Sequence, residues 1–170
     1  MRELAGDLQW LDELLSRSME QAGPFLRSSF EMPDHSLSAR QMVKHLDGLP
    51  TISMASVTAA GEPRVAPIGA IFYRCRFHAP TVRNAARVRH YERRPALSAT
   101  YYEGIDLAII IHGRATIVDE DDPSFAPVDA ELQRLTGESV LEWDSADGVY
   151  VRVDPDVIYT FARYPDQFPQ

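Results

Sequence analysis

Residues 63–94 read PRVAPIGAIFYRCRFHAPTVRNAARVRHYERR, and the architecture turns on the order of patterns within them. The first eleven, PRVAPIGAIFY, form a run rich in apolar and β-branched residues, preceded by TISMASVT and the turn-forming AAGE. Two such runs around a short glycine-containing turn predict a β-hairpin. RCRFHAPT predicts a further strand, and the arginine-rich segment after it predicts a helix ended at Pro95. Five arginines lie between Arg83 and Arg94, with Glu92 the only acid among them. Placed on a helix, Arg83, Arg87, His90 and Arg94 fall along one stripe, while Ala85 and Val88 face another way. Thr81 and Asn84 then stand at the helix entrance. Free backbone N–H groups, the positive end of the helix dipole, a hydroxyl and guanidinium forks would together receive an anion such as a phosphate. The same residues also read as a solvated basic helix, or as partners for an acidic segment elsewhere.

That concentration of bases is local. The 170 residues carry a formal net charge of −8, yet Arg64 to Arg94 holds eight arginines against one acid. Asp119 to Tyr150 holds ten acids against Arg134. A general nucleic-acid binder is more often basic throughout. The arginine helix also interleaves only Tyr91, so no nucleic-acid partner is expected. Cys75 is the sole cysteine, which excludes an intrachain disulfide and a multi-cysteine zinc site. Its neighbours Arg74 and Arg76 would lower a thiol's pKa, but it falls in a predicted hairpin turn with no base beside it. The five histidines show no HExxH spacing, and no metal site is expected. The N-terminus lacks an apolar signal core and no run approaches membrane-spanning length, so a cytoplasmic location with no membrane partner is expected.

Outside residues 63–94, Leu4, Leu8, Leu11 and Leu15 predict an amphipathic helix over 3–21, broken by AGPFLRSSFEMPDH. SARQ, with Ser38 three residues before Gln41, predicts a second helix that ends near Gly48. ALSATYYEG and DLAIIIHGRATIVDE predict a second hairpin. The latter strand is apolar on both faces at its centre and so is expected to be covered on both sides. On it, His112 alternates with Ile110 and Arg114 and reads first as a buried, satisfied histidine. DDPSFAPVDAELQRLTG predicts a helix ended by Gly137, and GVYVRVDP and DVIYTFARYP predict two closing strands. Tyr101, Tyr102 and Trp143 read first as core or interface aromatics. The pattern is mainly β: six or seven mostly antiparallel strands with peripheral helices, closer to a small barrel than to a parallel doubly wound sheet.

The ordered set from the hairpin through RFHAPT, the arginine helix, RRPALSATY and HGRATIVDEDD resembles the pyridoxamine-phosphate-oxidase-like split β-barrel superfamily of FMN- and deazaflavin-binding proteins. It is most similar to the actinobacterial branch, which often uses the deazaflavin coenzyme F-420. The resemblance runs from about Ser38 to Val153. It implies an N-terminal helical extension over 1–37 and a split-barrel cofactor-binding domain over 38–170, one domain overall.

By that resemblance Arg64 reaches the cofactor phosphate from the hairpin, and the backbone of Val65, Ala66, Pro67 and Ile68 lies against the isoalloxazine ring. Thr81 corresponds to the family's threonine and Arg87 to its helix base, with Arg83 and Asn84 on the intervening loop. The family's serine two residues before that base is Ala85 here, or is displaced to Asn84, so one phosphate hydrogen bond is missing or moved. The bound cofactor is FMN or coenzyme F-420. Arg83, Arg89 and Arg94, surplus to a single phosphate, favour the anionic tail of the deazaflavin. The resemblance implies a homodimer with sites between subunits. It also implies hydride transfer between the bound cofactor and a small organic substrate, needing no dedicated catalytic residue. The superfamily also holds non-catalytic FMN, deazaflavin and haem binders. The tail VIYTFARYPDQFPQ lacks the histidine of true pyridoxamine phosphate oxidases, which argues against vitamin B6 oxidation.

Overall fold

The computed structural model describes residues 3–143 and 147–169. Seven strands build one antiparallel sheet: β1 (Thr51–Val57), β2 (Pro63–Gly69), β3 (Ile71–Tyr73), β4 (Arg76–Val82), β5 (Ala96–Glu103), β6 (Leu107–Val118) and β7 (Gly148–Ala162). Their order across the sheet is β2-β1-β5-β6-β7-β4-β3. PRVAPIGAIFY, which the sequence presents as one strand, is therefore two, and they occupy opposite edges. Only Ala70 separates them; it is fully buried and its N–H donates to the Pro50 carbonyl at 2.9 Å. A single residue spans only about 3.5 Å, so the edges must curl toward each other. The sheet closes into a split β-barrel.

One face of the curl holds the core. Along β6 the burial alternates, with Leu107, Ile109, Ile111 and Ala115 inside. They meet Ala162, Thr160, Ile158 and Val153 of β7 in register. The other face is only half covered, contrary to the two-sided burial expected from the apolar centre of β6. Ile110 on that face is partly buried, and His112 and Arg114 are exposed. His112 is not a core histidine: its Nδ1 shares a 2.7 Å hydrogen bond with Ser98 Oγ, its cross-strand neighbour, and its ring meets Tyr159 edge-on. The buried histidine is His78 on β4, whose Nδ1 lies 3.1 Å from the Arg76 carbonyl. Burial depresses its pKa to about 4, which keeps the ring neutral.

The two closing strands expected at the C-terminus are one fifteen-residue strand, β7. Its pairing with β6 shifts register between His112 and Gly113. A Cβ at Gly113 would stand 2.2 Å from the Asp154 carbonyl oxygen, so only glycine lets the two backbones approach there. That bulge lets the strand bend past Pro155 without breaking.

Helix α1 (Ala5–Gln21) packs on β7 and on α3 (Ala39–His45). Leu11, Leu14 and Leu15 join the barrel core, and Ser18 Oγ accepts from the Ile158 N–H at 2.9 Å. Ser38 and Gln41 form the capping box that the sequence signals. The stretch expected to be only a break contains a short helix, α2 (Pro24–Ser29), with Pro24 at its first position, where a missing N–H costs nothing. Helix α5 (Phe125–Thr136) ends at Gly137, whose φ of 86° is left-handed. It buries Phe125, Val128 and Leu132 against Ile71, Val118 and Tyr150 in a second core. No helix among the described residues is long and apolar enough to cross a membrane.

Candidate functional site

Most of the basic residues between Arg64 and Arg94 hold the fold together. Arg74 grips Asp7 of α1 through two hydrogen bonds of 3.0 and 3.1 Å. Arg76 pairs with Asp154 at 3.2 Å and lies 4.0 Å over the Trp10 ring. Arg83 spans Asp119 at 2.8 Å and Asp147 at 3.3 Å. Its hydrogen bond holds the Asp119 carboxyl below the usual carboxylate range. Arg89 donates to the Asn84 carbonyl, and Arg94 to the Val57 carbonyl at 3.1 Å. Arg64 pairs with exposed Glu62 at 2.6 Å. Among the described residues Arg87 and Arg93 make no hydrogen bond or ion pair. Only Arg87, half-buried, faces a cavity.

That cavity is a cleft of about 530 Å³ between the β1–β2 hairpin and α4 (Ala86–Arg93). Strand periodicity sets its sheet wall. Met54 and Ser56 of β1 stand opposite Ala66 and Arg64 of β2 in register and share the inward face. The other wall is the first turn of α4 with Arg87, His90 and Tyr91. Tyr91 anchors the helix: its hydroxyl donates to the Ala55 carbonyl at 3.0 Å, and burial pushes the phenol up to about 12. Ala85 is the N-cap and supplies no side-chain acceptor. The N–H groups of Ala86 and Arg87 consequently have no partner among the described residues. Two free donors, a helix N-terminus and two guanidinium groups on opposite walls can hold a phosphate monoester. Its apolar part would lie along Met54, Val65 and Ala66. Among the described residues no carboxylate lines the cleft.

Of the residues singled out from sequence, Arg64, Val65, Ala66 and Arg87 meet in this cleft. Pro67 and Ile68 continue β2 beyond it. Thr81 is buried within β4, paired with Val149, and is not among the residues lining the cleft. Arg83 precedes the helix and is committed to its two aspartates. It does not belong to the stripe of Arg87, His90 and Arg94. Asn84 is exposed and its carbonyl carries Arg89. The bases read as surplus to one phosphate are thus already occupied. Ser56, Thr58 and His90 also line the cleft. The hairpin could have pointed to Ser56, since pairing across AAGE sets it opposite Arg64. Cys75 does sit in the β3–β4 turn, at a φ of 61°, but burial pushes its thiol up to about 12 despite the flanking arginines.

A curled seven-stranded antiparallel sheet, with a hairpin and a short helix enclosing a cleft, defines a split β-barrel. The chain belongs to the pyridoxamine 5'-phosphate oxidase family, whose profile matches residues 39–161. No curated protein matches it. Among solved structures it is similar to a conserved hypothetical protein of Mycobacterium tuberculosis (TM-score 0.68, 17% identity, covering 81% of this chain and 92% of that one). It is also similar to the haem storage protein of Vibrio cholerae (TM-score 0.59, 18% identity, 72% and 95% covered). A third similar structure is an F-420 reductase (TM-score 0.53, 19% identity, 66% and 91% covered). Identities this low establish a shared fold.

Proposed function

We propose that the chain binds the phosphate of FMN or of coenzyme F-420 in the α4–hairpin cleft and acts as an oxidoreductase on a small organic substrate. One observation carries the reading: Arg87, without a hydrogen-bond or ion-pair partner among the described residues, stands beside an uncapped helix N-terminus with Arg64 opposite. Arg64 needs only to leave or share Glu62, and an exposed pair of that kind is worth about 0–1 kcal/mol. When bound, either ring supplies the hydride chemistry, while the protein orients it and shapes its electrostatics. With Arg83, Arg89 and Arg94 engaged elsewhere, free charge does not favour the deazaflavin over FMN.

Parallel fluorescence titrations with FMN and coenzyme F-420 test the reading. Micromolar or tighter binding of one, lost on adding excess inorganic phosphate, is the expected result. Binding of neither overturns it. A second reading, a cofactor binder without turnover, draws on the fold shared with a haem storage protein. Cofactor binding with no substrate-dependent oxidation of the reduced form would establish that alternative.

We further propose that a second copy of the chain covers the half-exposed sheet face. Val65 is 67% exposed and Tyr102 61%. Ile110 and Tyr159 lie in one cross-strand row between them. Large apolar side chains left exposed on one sheet face invite a partner. Sedimentation equilibrium at micromolar concentration should show a dimer, and monomer alone would remove the proposal.

A further inference from the structure

The cleft contains one titratable group that neither the sheet nor the helix requires for packing. His90 projects from α4 one turn after Arg87, and its Nδ1 lies 2.9 Å from Ser56 Oγ. Ser56 is only 5% exposed, so this hydroxyl is a fixed, buried anchor. It holds the imidazole against the wall from which Arg64 also rises, since Ser56 and Arg64 are direct register partners. The second ring nitrogen, Nε2, has no hydrogen-bond partner among the described residues. It is not a buried orphan, because the one such atom among them is Nδ1 of His35. A ring held at one nitrogen, lining a cavity with the other free, is a positioned ligand group.

We propose that His90 is an anion-binding residue of this cleft: held by Ser56, it donates from Nε2 to the terminal oxygens of a phosphomonoester, and it takes up a proton as the anion binds. The inference rests on the reading of the cleft as a phosphate receptor. Charged and polar groups surround His90. On α4 these are Arg87, Tyr91 and Arg94, the last engaged with the Val57 carbonyl. Exposed Glu92 is the helix's one acid. On β1 and just after it they are Ser56 and Thr58, and on β2 Arg64, whose partner Glu62 stands just before that strand. Strand β6, which also packs against α4, carries Arg114 and His112 on its outer face. An anion bound beside the ring favours the charged imidazolium over the neutral imidazole. Anion binding and protonation of the ring therefore assist each other, and by reciprocity affinity rises as pH falls.

The test follows the imidazole directly. The Cε1–H resonances of the five histidines are titrated by NMR between about pH 5 and 8.5 in chloride, in inorganic phosphate and in sulfate at equal ionic strength, with His90→Gln assigning the signal. Sulfate keeps a constant charge over this range and so separates titration of the ring from titration of the anion. The expected result is a rise of about half a pH unit or more in the His90 midpoint with either anion. His90→Gln should weaken phosphate binding about 5-fold near pH 6 and less than about 2-fold near pH 8.5. Ser56→Ala, which frees the ring, should shrink the midpoint shift. An unmoved midpoint, or an equal loss of affinity at both pH values, overturns the proposal. Binding of neither FMN nor coenzyme F-420, with the phosphate-induced shift intact, would overturn the cofactor reading and leave this one standing.

Discussion

Replacing Arg87 by alanine lowers the affinity of the cleft for FMN or coenzyme F-420 about 30-fold, equivalent to about 2 kcal/mol. The size follows from what the guanidinium does in the free protein. Bound to nothing in the described structure, it loses no native bond on meeting a phosphate, so most of a charge-assisted hydrogen bond appears as affinity. Stability should hardly change, because Arg87 makes no hydrogen bond or ion pair among the described residues, lies in the first turn of α4, and alanine is a good helix residue. Arg93→Ala on the same helix is the control: it is exposed, also unpaired, and away from the cleft. Arg64→Ala should cost less than Arg87→Ala, since Arg64 must share itself with Glu62. The double variant should lose less than the sum, as both groups act on one phosphate. Equilibrium titration measures all four. Unchanged binding in Arg87→Ala would return the arginine segment to a structural role, in line with the contacts of Arg83, Arg89 and Arg94.

A second large effect falls on stability. Asp129 of α5 is 6% exposed. Its carboxylate accepts from Ser139 Oγ at 2.7 Å, the Val140 N–H at 2.9 Å and the Tyr150 hydroxyl at 2.8 Å. Burial first, then the hydrogen bond to Asp129, raises the Tyr150 phenol far above its ordinary range, so it remains a donor. One side chain thus ties α5 to the segment before β7 and to β7 itself. Asp129→Ala strands three buried donors and should cost about 3–5 kcal/mol in urea or thermal unfolding. Asp129→Asn keeps one acceptor oxygen and should fall between alanine and the parent. A loss below about 1 kcal/mol in the alanine variant would mean that the helix is held by its apolar contacts alone.

Much of the barrel was legible because local rules suffice for it. The AAGE turn, the capping box at Ser38 and Gln41, the stop at Pro95 and the left-handed Gly137 each act within a few residues. The family resemblance also follows from the order of such elements along the chain. Within the cleft, Arg64 and Arg87 could be singled out because strand and helix patterns place a base on each.

Tertiary structure decided the rest, because it depends on which distant groups come into contact. PRVAPIGAIFY reads as one strand, and nothing local reveals that Ala70 lies where the two edges of a curled sheet meet. Arg83 falls on the helical stripe by counting, yet two aspartates far along the chain, Asp119 and Asp147, claim it. Those same long-range pairs bring part of the acidic segment beside the basic middle, since both aspartates meet Arg83. His112 looks buried from its apolar neighbours, but a strand has two faces and the core covers one. Periodicity fixes which residues share a face; only the closed sheet fixes which face meets the core and which guanidinium is left free for a ligand.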